Sequence, residues 1–446
     1  MKLYIYTDLK DISWLKYIVE EFRFIQKANF EIDIINEKID TENIIFYVAE
    51  KQEKTSIFNS NEIQPNGRIE YLKDNLYILK GSKKPGFTIE YDLFWNAFVF
   101  LSRYEEYLSQ INSKKIYSYS FKHPRIDKKS FEIPIVNILF NELEKLIKRY
   151  FPTLQFGDKE NIKIDFSHDV DYINKTIQLR LKQTAFNIFN TLKSIHKPKL
   201  FLENLGRTCR FALSNPSYWC FNFWQSLEKK YNVRSTFYVY VKSGKKNIRS
   251  WLIDPSYDIK TNKKIQKVLK ELNNTGFKIG LHGSFNSAVS FEQLKDEKEI
   301  LEDVLGIKVE KIRQHWLNYD EEITPYIHEK LFKYDSTIGW NDRIGFRAGV
   351  ASAYRPYDQV NKKPFDYIII PQVVMDSNLY DYANNKNTKI FDDVIKLLKN
   401  ANDLAKVPFI SVSWHQRGCS NDYRWHIDYE KILHYYNIMK SKEIIQ

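Results

Sequence analysis

The chain reads as an α/β protein: a parallel barrel of strand–helix units preceded by a smaller α/β domain. Three observations predict this. From about residue 161 a strand, a loop and a helix recur through seven units, the rhythm of a parallel sheet. That half holds no Gly-x-Gly-x-x-Gly run, so a barrel fits better than a dinucleotide-binding sheet. At 446 residues the chain also exceeds one ordinary domain. The expected division is residues 1–155 as an N-terminal α/β domain of unassigned role and residues 156–446 as the barrel.

In the first part, Leu3-Tyr4-Ile5-Tyr6 is an expected strand, followed by helical periodicity from Asp11 to Ile25. Phe30 to Ile35 and Ile44 to Val48 read as strands, and Ile135 to Tyr150 as an amphipathic helix behind Pro134. Between them, Asp92 to Tyr107 reads as one buried helix whose last turn carries Arg103, Glu105 and Glu106. An internal ion pair that anchors the helix is the expectation there.

In the second part the expected strands are 162–167, 235–241, 278–281, 311–315, 334–338, 367–373 and 409–414. Helices are expected over 265–272, 291–305, 321–331 and 391–405, the second opened by the capping box that starts at Ser290. Residues 175–215 form an insertion after the first strand, basic and amphipathic. A helix packed on the barrel with a wet lysine face is the ordinary reading. Peripheral contact with an anionic membrane is the sharper one.

Composition narrows the partners. A content of 43% hydrophobic and 28% charged residues suits packed, soluble domains. The formal charge of +12 comes from lysines spread along the chain, with no zinc-finger or RNP pattern, so nucleic acid is not an expected partner. No partner protein is implied. Cys209, Cys220 and Cys419 make an odd count without Cys-x-x-Cys spacing; reduced thiols and a cytoplasmic location are the expectation. The first residues show no signal-peptide pattern.

The chemistry-bearing residues fall at strand ends, where barrel active sites form. The first strand ends in Ser167-His168-Asp169-Val170-Asp171. Side chains alternate along a strand, so Asp169 and Asp171 share a face and His168 takes the other. Two adjacent carboxylates call for a cation or a proton between them. The third strand ends at His282, the fourth in Arg313-Gln314-His315-Trp316, the sixth runs to Asp376 and the seventh ends in Trp414-His415. His282, His315 and His415 would converge with the Asp pair on one mouth, which makes a metal or acid–base site.

In that order, the Asp-x-Asp strand end, the His after Gly-Leu, the Arg-x-His-Trp strand, Asp335-Ser336-Thr337 and the late Trp-His resemble the NodB-homology polysaccharide deacetylases. The likeness covers about 161–440, and Ser102 to Tyr107 resembles an element of a bacterial branch with an N-terminal extension. The resemblance implies a distorted (β/α)7 barrel, a divalent metal, usually zinc, and hydrolysis of N-acetyl groups on amino sugars of a glycan. It makes Asp169 the base, Asp171 and His282 metal ligands, Arg313 the group that orients the base and His415 the acid. The family's second metal histidine stands four residues after the first, and here that position is Asn286. Asn is a poor zinc ligand, and His315 is the expected substitute. Two alternatives remain open: a metal hydrolase of another C–N amide bond, and a catalytically silent glycan-binding or scaffold protein.

Overall fold

The computed structural model describes residues 1–37, 39, 41, 43–48, 58–59, 69–72, 76–79, 92–125, 128–243, 251, 253–382 and 390–441. Two compact units emerge, and each draws on separate stretches of chain. The first holds Met1–Asp165, Tyr319–Val374 and Tyr382–Ser411; the second holds Phe166–Asn318, Met375–Asp381 and Val412–Gln446.

The α/β class is observed: an eight-stranded, mostly parallel sheet with helices between its strands. The count is eight because the expected strand at 367–373 is two pieces, Ile368–Ile369 and Gln372–Met375. Pro371 lies between them, and a proline has no N–H to keep a ladder going.

In the first unit, Lys2–Thr7 pairs in parallel with Glu31–Ile35 on one side and Ile44–Val48 on the other. The helices Ser13–Ile25 and Ile135–Tyr150 lie where the periodicity places them. Their apolar faces (Leu15, Ile18 and Phe22; Leu139, Phe140 and Leu143) enter one core. The expected single helix over 92–107 is broken. Leu93–Leu101 ends at Ser102, and Tyr104–Ile111 restarts after Arg103, whose φ is 54°. A left-handed residue cannot propagate an α-helix.

A buried ion-pair network surrounds that break. Arg103 Nη2 meets Glu321 Oε2 at 2.8 Å, and Arg347 grips both oxygens of Glu106, with its Nε 3.0 Å from Oε1. Arg125 pairs with Glu105. Breaking such a pair strands an uncompensated charge. The anchoring expected of this segment is therefore observed, with Arg125, Glu321 and Arg347 joining it from outside the helix.

In the second unit, the strands Lys163–Val170, Thr236–Tyr240, Lys278–Gly283 and Lys311–Gln314 are consecutive parallel neighbours. Leu281 aligns with Ile312 and His282 with Arg313. The insertion is two helices, Ile177–Lys193 and Pro198–Leu213, separated where Pro198 takes the first helical turn of the second.

The cysteine expectation is corrected. Cys220 and Cys419 form a disulfide, 199 residues apart in sequence. The fold brings the start of the helix Phe221–Lys230 against the turn that follows His415, a proximity that spacing cannot reveal. Cys209 is free and exposed. Unfolded without reductant, the chain should therefore label with one maleimide, and after reduction with three; mass spectrometry reads the count.

A second expectation concerns Asp92, which caps its helix through Trp95 N at 2.9 Å and accepts the Tyr47 hydroxyl at 2.6 Å. Burial pushes its pKa from 3.8 up to about 6 despite these donors. The folded state then holds a proton that the unfolded state has lost, so this group's contribution falls as pH rises from about 4 to 6. A gap of that size corresponds to at most about 3 kcal/mol. In Asp92→Asn the loss of stability across that window, followed by urea unfolding, should be smaller than in the parent.

Candidate metal centre

The site lies entirely within the second unit. Alternation along the strand Lys163–Val170 divides its side chains as expected. His168 turns to the helix Phe221–Lys230, where its Nε2 lies 2.8 Å from Glu228 Oε1, and it is fully buried. Asp169 and, just past the strand, Asp171 face the other way.

Asp169 is held by one cation. Arg313 Nη1 donates to its Oδ1 at 2.7 Å and also to Ser167 Oγ at 2.9 Å and Ser413 Oγ at 2.8 Å. The guanidinium lies 4.3 Å from the centre of the Tyr238 ring. Gly280 makes room for that ring, since a Cβ there would come within 2.6 Å of it. Burial alone would raise the pKa of Asp169; Arg313, His282 and His415 outweigh it and hold the carboxyl below its usual value.

Asp171 is the centre of the cluster. Its Oδ1 stands 3.2 Å from His282 Nε2 and 3.9 Å from His315 Nε2. Donor atoms of Asp171, His282 and His315 lie within 4.8 Å of one another, and all three residues are buried. The far nitrogen of each imidazole is occupied. His282 Nδ1 lies 2.9 Å from the Arg313 carbonyl and His315 Nδ1 3.0 Å from Asp254 Oδ1. Both partners only accept, so both Nδ1 atoms carry hydrogen and both neutral rings present a lone pair at Nε2. Two lone pairs thus face a carboxylate oxygen that has no aligned donor, although it is buried.

A cation resolves this arrangement. Two imidazoles and a carboxylate, each ring oriented by an acceptor behind it, are a donor set suited to zinc with a position left for water. A proton is the competitor: burial would lower the pKa of His282, but Asp169 and Asp171 more than offset it and raise it. The geometry therefore fits a divalent metal held by Asp171, His282 and His315.

The other oxygen of Asp171 is spoken for. Arg417 Nη1 donates to Oδ2 at 2.8 Å, and His415 Nε2 is 3.3 Å away. His415 is gripped from behind by Asp376, with Nδ1 2.5 Å from Oδ1 and its backbone N–H donating to Oδ2 at 2.7 Å. Burial would lower its pKa, but Asp376 and Asp171 push it up to about 10. These two acids thus favour a protonated imidazole at His415, on the far side of Asp171 from His282 and His315.

All six expected site residues, Asp169, Asp171, His282, Arg313, His315 and His415, come together. Asn286 sits half-buried in the 3-10 turn Asn286–Val289 that follows the third strand. Three supporting residues have weaker sequence signals. Asp376 was visible as a polar strand end. Asp254, an Asp before Pro in a loop, also accepts from Phe285 N at 2.9 Å, and Arg417 follows His415 by two residues; neither sits at a strand tip. Backbone geometry also sets His315: Trp316 and Leu317 follow it with φ of 60° and 49°, a costly conformation for side chains of that size.

Removal of the group behind a ligand weakens the ligand. If Asp171, His282 and His315 hold a divalent ion, Asp254→Ala should lower the affinity for added divalent metal roughly 10- to 100-fold, measured by titration against a competing chelator, with the circular dichroism spectrum unchanged.

A profile of a family of unknown function (DUF7033) matches residues 3–152. No curated protein matches the chain. Among solved structures it is similar to a protein from Mycobacterium smegmatis described as a polysaccharide deacetylase, with 13% identity, 64% of this chain and 86% of the other covered, and a TM-score of 0.37. It is similar to another from Bordetella bronchiseptica, described as a polysaccharide deacetylase involved in O-antigen biosynthesis, with 14% identity, 57% and 71% covered, and a TM-score of 0.26. A polysaccharide deacetylase from Bacillus cereus shows 12% identity, 44% and 73% covered, and a TM-score of 0.25. Likenesses this distant leave the chemistry to be argued from the side chains themselves.

Proposed function

We propose that the protein is a metal-dependent hydrolase that removes N-acetyl groups from amino sugars of a polysaccharide or its glycan precursor, of the NodB-homology deacetylase kind. The observation that carries this is the two Nε2 lone pairs and the free Oδ1 of Asp171 directed at one another, with a base on one side and an acid on the other. Asp171, His282 and His315 would hold the metal, zinc by their chemistry. When bound, such an ion polarises an amide carbonyl and acidifies a water.

The chain's own residues supply the proton transfers. Asp169, ionised and fixed by Arg313, accepts the proton of the attacking water. Arg313 keeps one carboxylate oxygen occupied and leaves the other to act. His415 delivers a proton from Nε2 to the departing amine, so the C–N bond breaks with a neutral leaving group. Asp376 holds the imidazole in the orientation that points Nε2 inward. Arg417 neutralises the second oxygen of Asp171, so that one carboxylate serves the metal without repelling Asp169. The motif order at Asp169, Asp171, His282, Arg313 and His415 supports an amino-sugar substrate, and the same centre would serve another C–N amide.

All these residues lie between 169 and 417, so we give residues 1–155 a place outside the chemistry. The expectation of a cytoplasmic location draws on reduced cysteines and on the first residues, and the Cys220–Cys419 pair removes the cysteine ground. Among the described residues no helix is long and apolar enough to cross a membrane.

One residue favours a second reading. Asn286 replaces a metal histidine of the deacetylase pattern, and a silent glycan-binding protein would tolerate that loss. The two readings separate in one set of measurements. The hydrolase should purify with stoichiometric metal and release acetate from acetylated amino-sugar oligomers. Asp169→Asn should retain the metal and lose activity by roughly a hundredfold or more, whereas His282→Ala should lose both. A metal-free parent protein, or turnover that survives Asp169→Asn, overturns the assignment.

A further inference from the structure

The two insertion helices are built inside out for a hairpin in water. On Ile177–Lys193, the residues Ile177, Leu181, Ile188 and Leu192 recur at helical spacing along one face, and they are 48–77% exposed. On Pro198–Leu213, Leu202, Leu205 and Leu213 form a second stripe, 42–84% exposed. Towards the turn that joins them, the contacts between the helices are polar. Thr191 Oγ1 and Thr208 Oγ1 are 3.2 Å apart, and Asn204 donates to Ser194 Oγ at 3.1 Å. A soluble helix pair normally buries its apolar stripe and exposes the polar one.

The base of the hairpin is nevertheless anchored. Leu179 and Phe211 pack with Tyr172 and Tyr218, and Lys175 is buried against Asp422 at 2.8 Å. The hairpin is thus a fixed platform that presents an outward apolar face as well as the exposed lysines of the ordinary reading. Around that face positive charge predominates. Residues 175–215 contain eight Lys and Arg and a single acid, Glu203. Lys193, Lys197, Lys199, Arg207 and Arg210 are exposed.

We propose that this hairpin docks on an anionic membrane surface, its leucine and isoleucine stripes in the headgroup boundary and its basic side chains on acidic lipids. Charge selects this occupant. A second copy would bring the same basic rim against itself, and like charges across an interface repel. An anionic bilayer offers both the apolar layer and the countercharge. Neither helix is long and apolar enough to cross, so the hairpin lies in the interface plane. Its first helix starts six residues past Asp171, and Lys182 Nζ lies 5.0 Å from the centre of the Trp316 ring, next to His315. Docking therefore carries the metal centre to the lipid surface, where an acetylated amino sugar on a lipid carrier is presented. That substrate rests on the hydrolase reading; the docking does not.

The test uses the full chain, co-sedimented with vesicles of phosphatidylcholine alone or mixed with phosphatidylglycerol. The mixed vesicles should bind it and the neutral ones should not, and salt should weaken the binding. Leu181→Asn with Leu192→Asn, and separately Lys193→Glu with Lys197→Glu, should each lower the affinity roughly tenfold or more. These side chains are exposed or at the surface, so the thermal melt should hold. Val360→Asn, at a 62% exposed apolar residue outside the hairpin, should bind as the parent does. Absence of binding to anionic vesicles at low salt overturns the proposal. So does binding that the hairpin substitutions leave intact, or a dimer in light scattering that Leu181→Asn with Leu192→Asn dissolves. None of these readouts involves turnover, so they leave the hydrolase assignment to its own test.

Discussion

Three acceptors pointed at one place are the constraint around which the second unit is arranged. Asp171 Oδ1 and two imidazole Nε2 atoms repel one another as neutral rings and an ionised acid, and they are buried together. Only a cation or a proton makes that favourable. Each ring is held in this disposition from behind, by a backbone carbonyl at His282 and a carboxylate at His315. The fold therefore maintains the cluster through directed hydrogen bonds, and the free energy lost by crowding the acceptors is regained when positive charge enters.

The rest of the site separates charge around this cluster. Arg313 lies against Asp169 and Arg417 against Asp171, so two carboxylates two residues apart are each given a separate cation. Asp376 sits behind His415 just as Asp254 sits behind His315, yet the outcomes are opposite. His415 faces the second oxygen of Asp171, and its pKa is raised by Asp376 and Asp171. The pKa of His315 is lowered, chiefly by burial, which outweighs Asp254 and Asp171. One carboxylate with two differently occupied oxygens thus has His415 and Arg417 on one side and the Nε2 atoms of His282 and His315 on the other. Buried pairs of this sort contribute little net stability; their value is in fixed geometry.

Strand alternation made much of this readable in advance. Asp169 and Asp171 had to share a face and His168 had to leave it, because the side-chain period of a strand is two. Parallel strands deliver their tips to one edge, so His282, Arg313, His315 and His415 could be expected to meet although 133 residues separate His282 from His415. Asp254 and Arg417 escaped notice because loop residues obey no such period. The Arg103–Glu321 and Cys220–Cys419 pairs escaped for a related reason: each joins residues far apart along the chain.

The amino-acid sequence by itself determined the elements, their α/β alternation and the residues able to carry chemistry, since periodicity and strand position are local properties of the chain. It also determined the abundance of positive charge in 175–215. Tertiary structure alone decided that the outward face of that hairpin is apolar, because a helix with leucines on one side and threonines on another does not say which side is covered. It likewise decided that His315 stands within reach of Asp171 and His282. That choice depends on the register of the fourth strand against the third and on a left-handed turn after His315, and both are set by neighbours rather than by the segment itself.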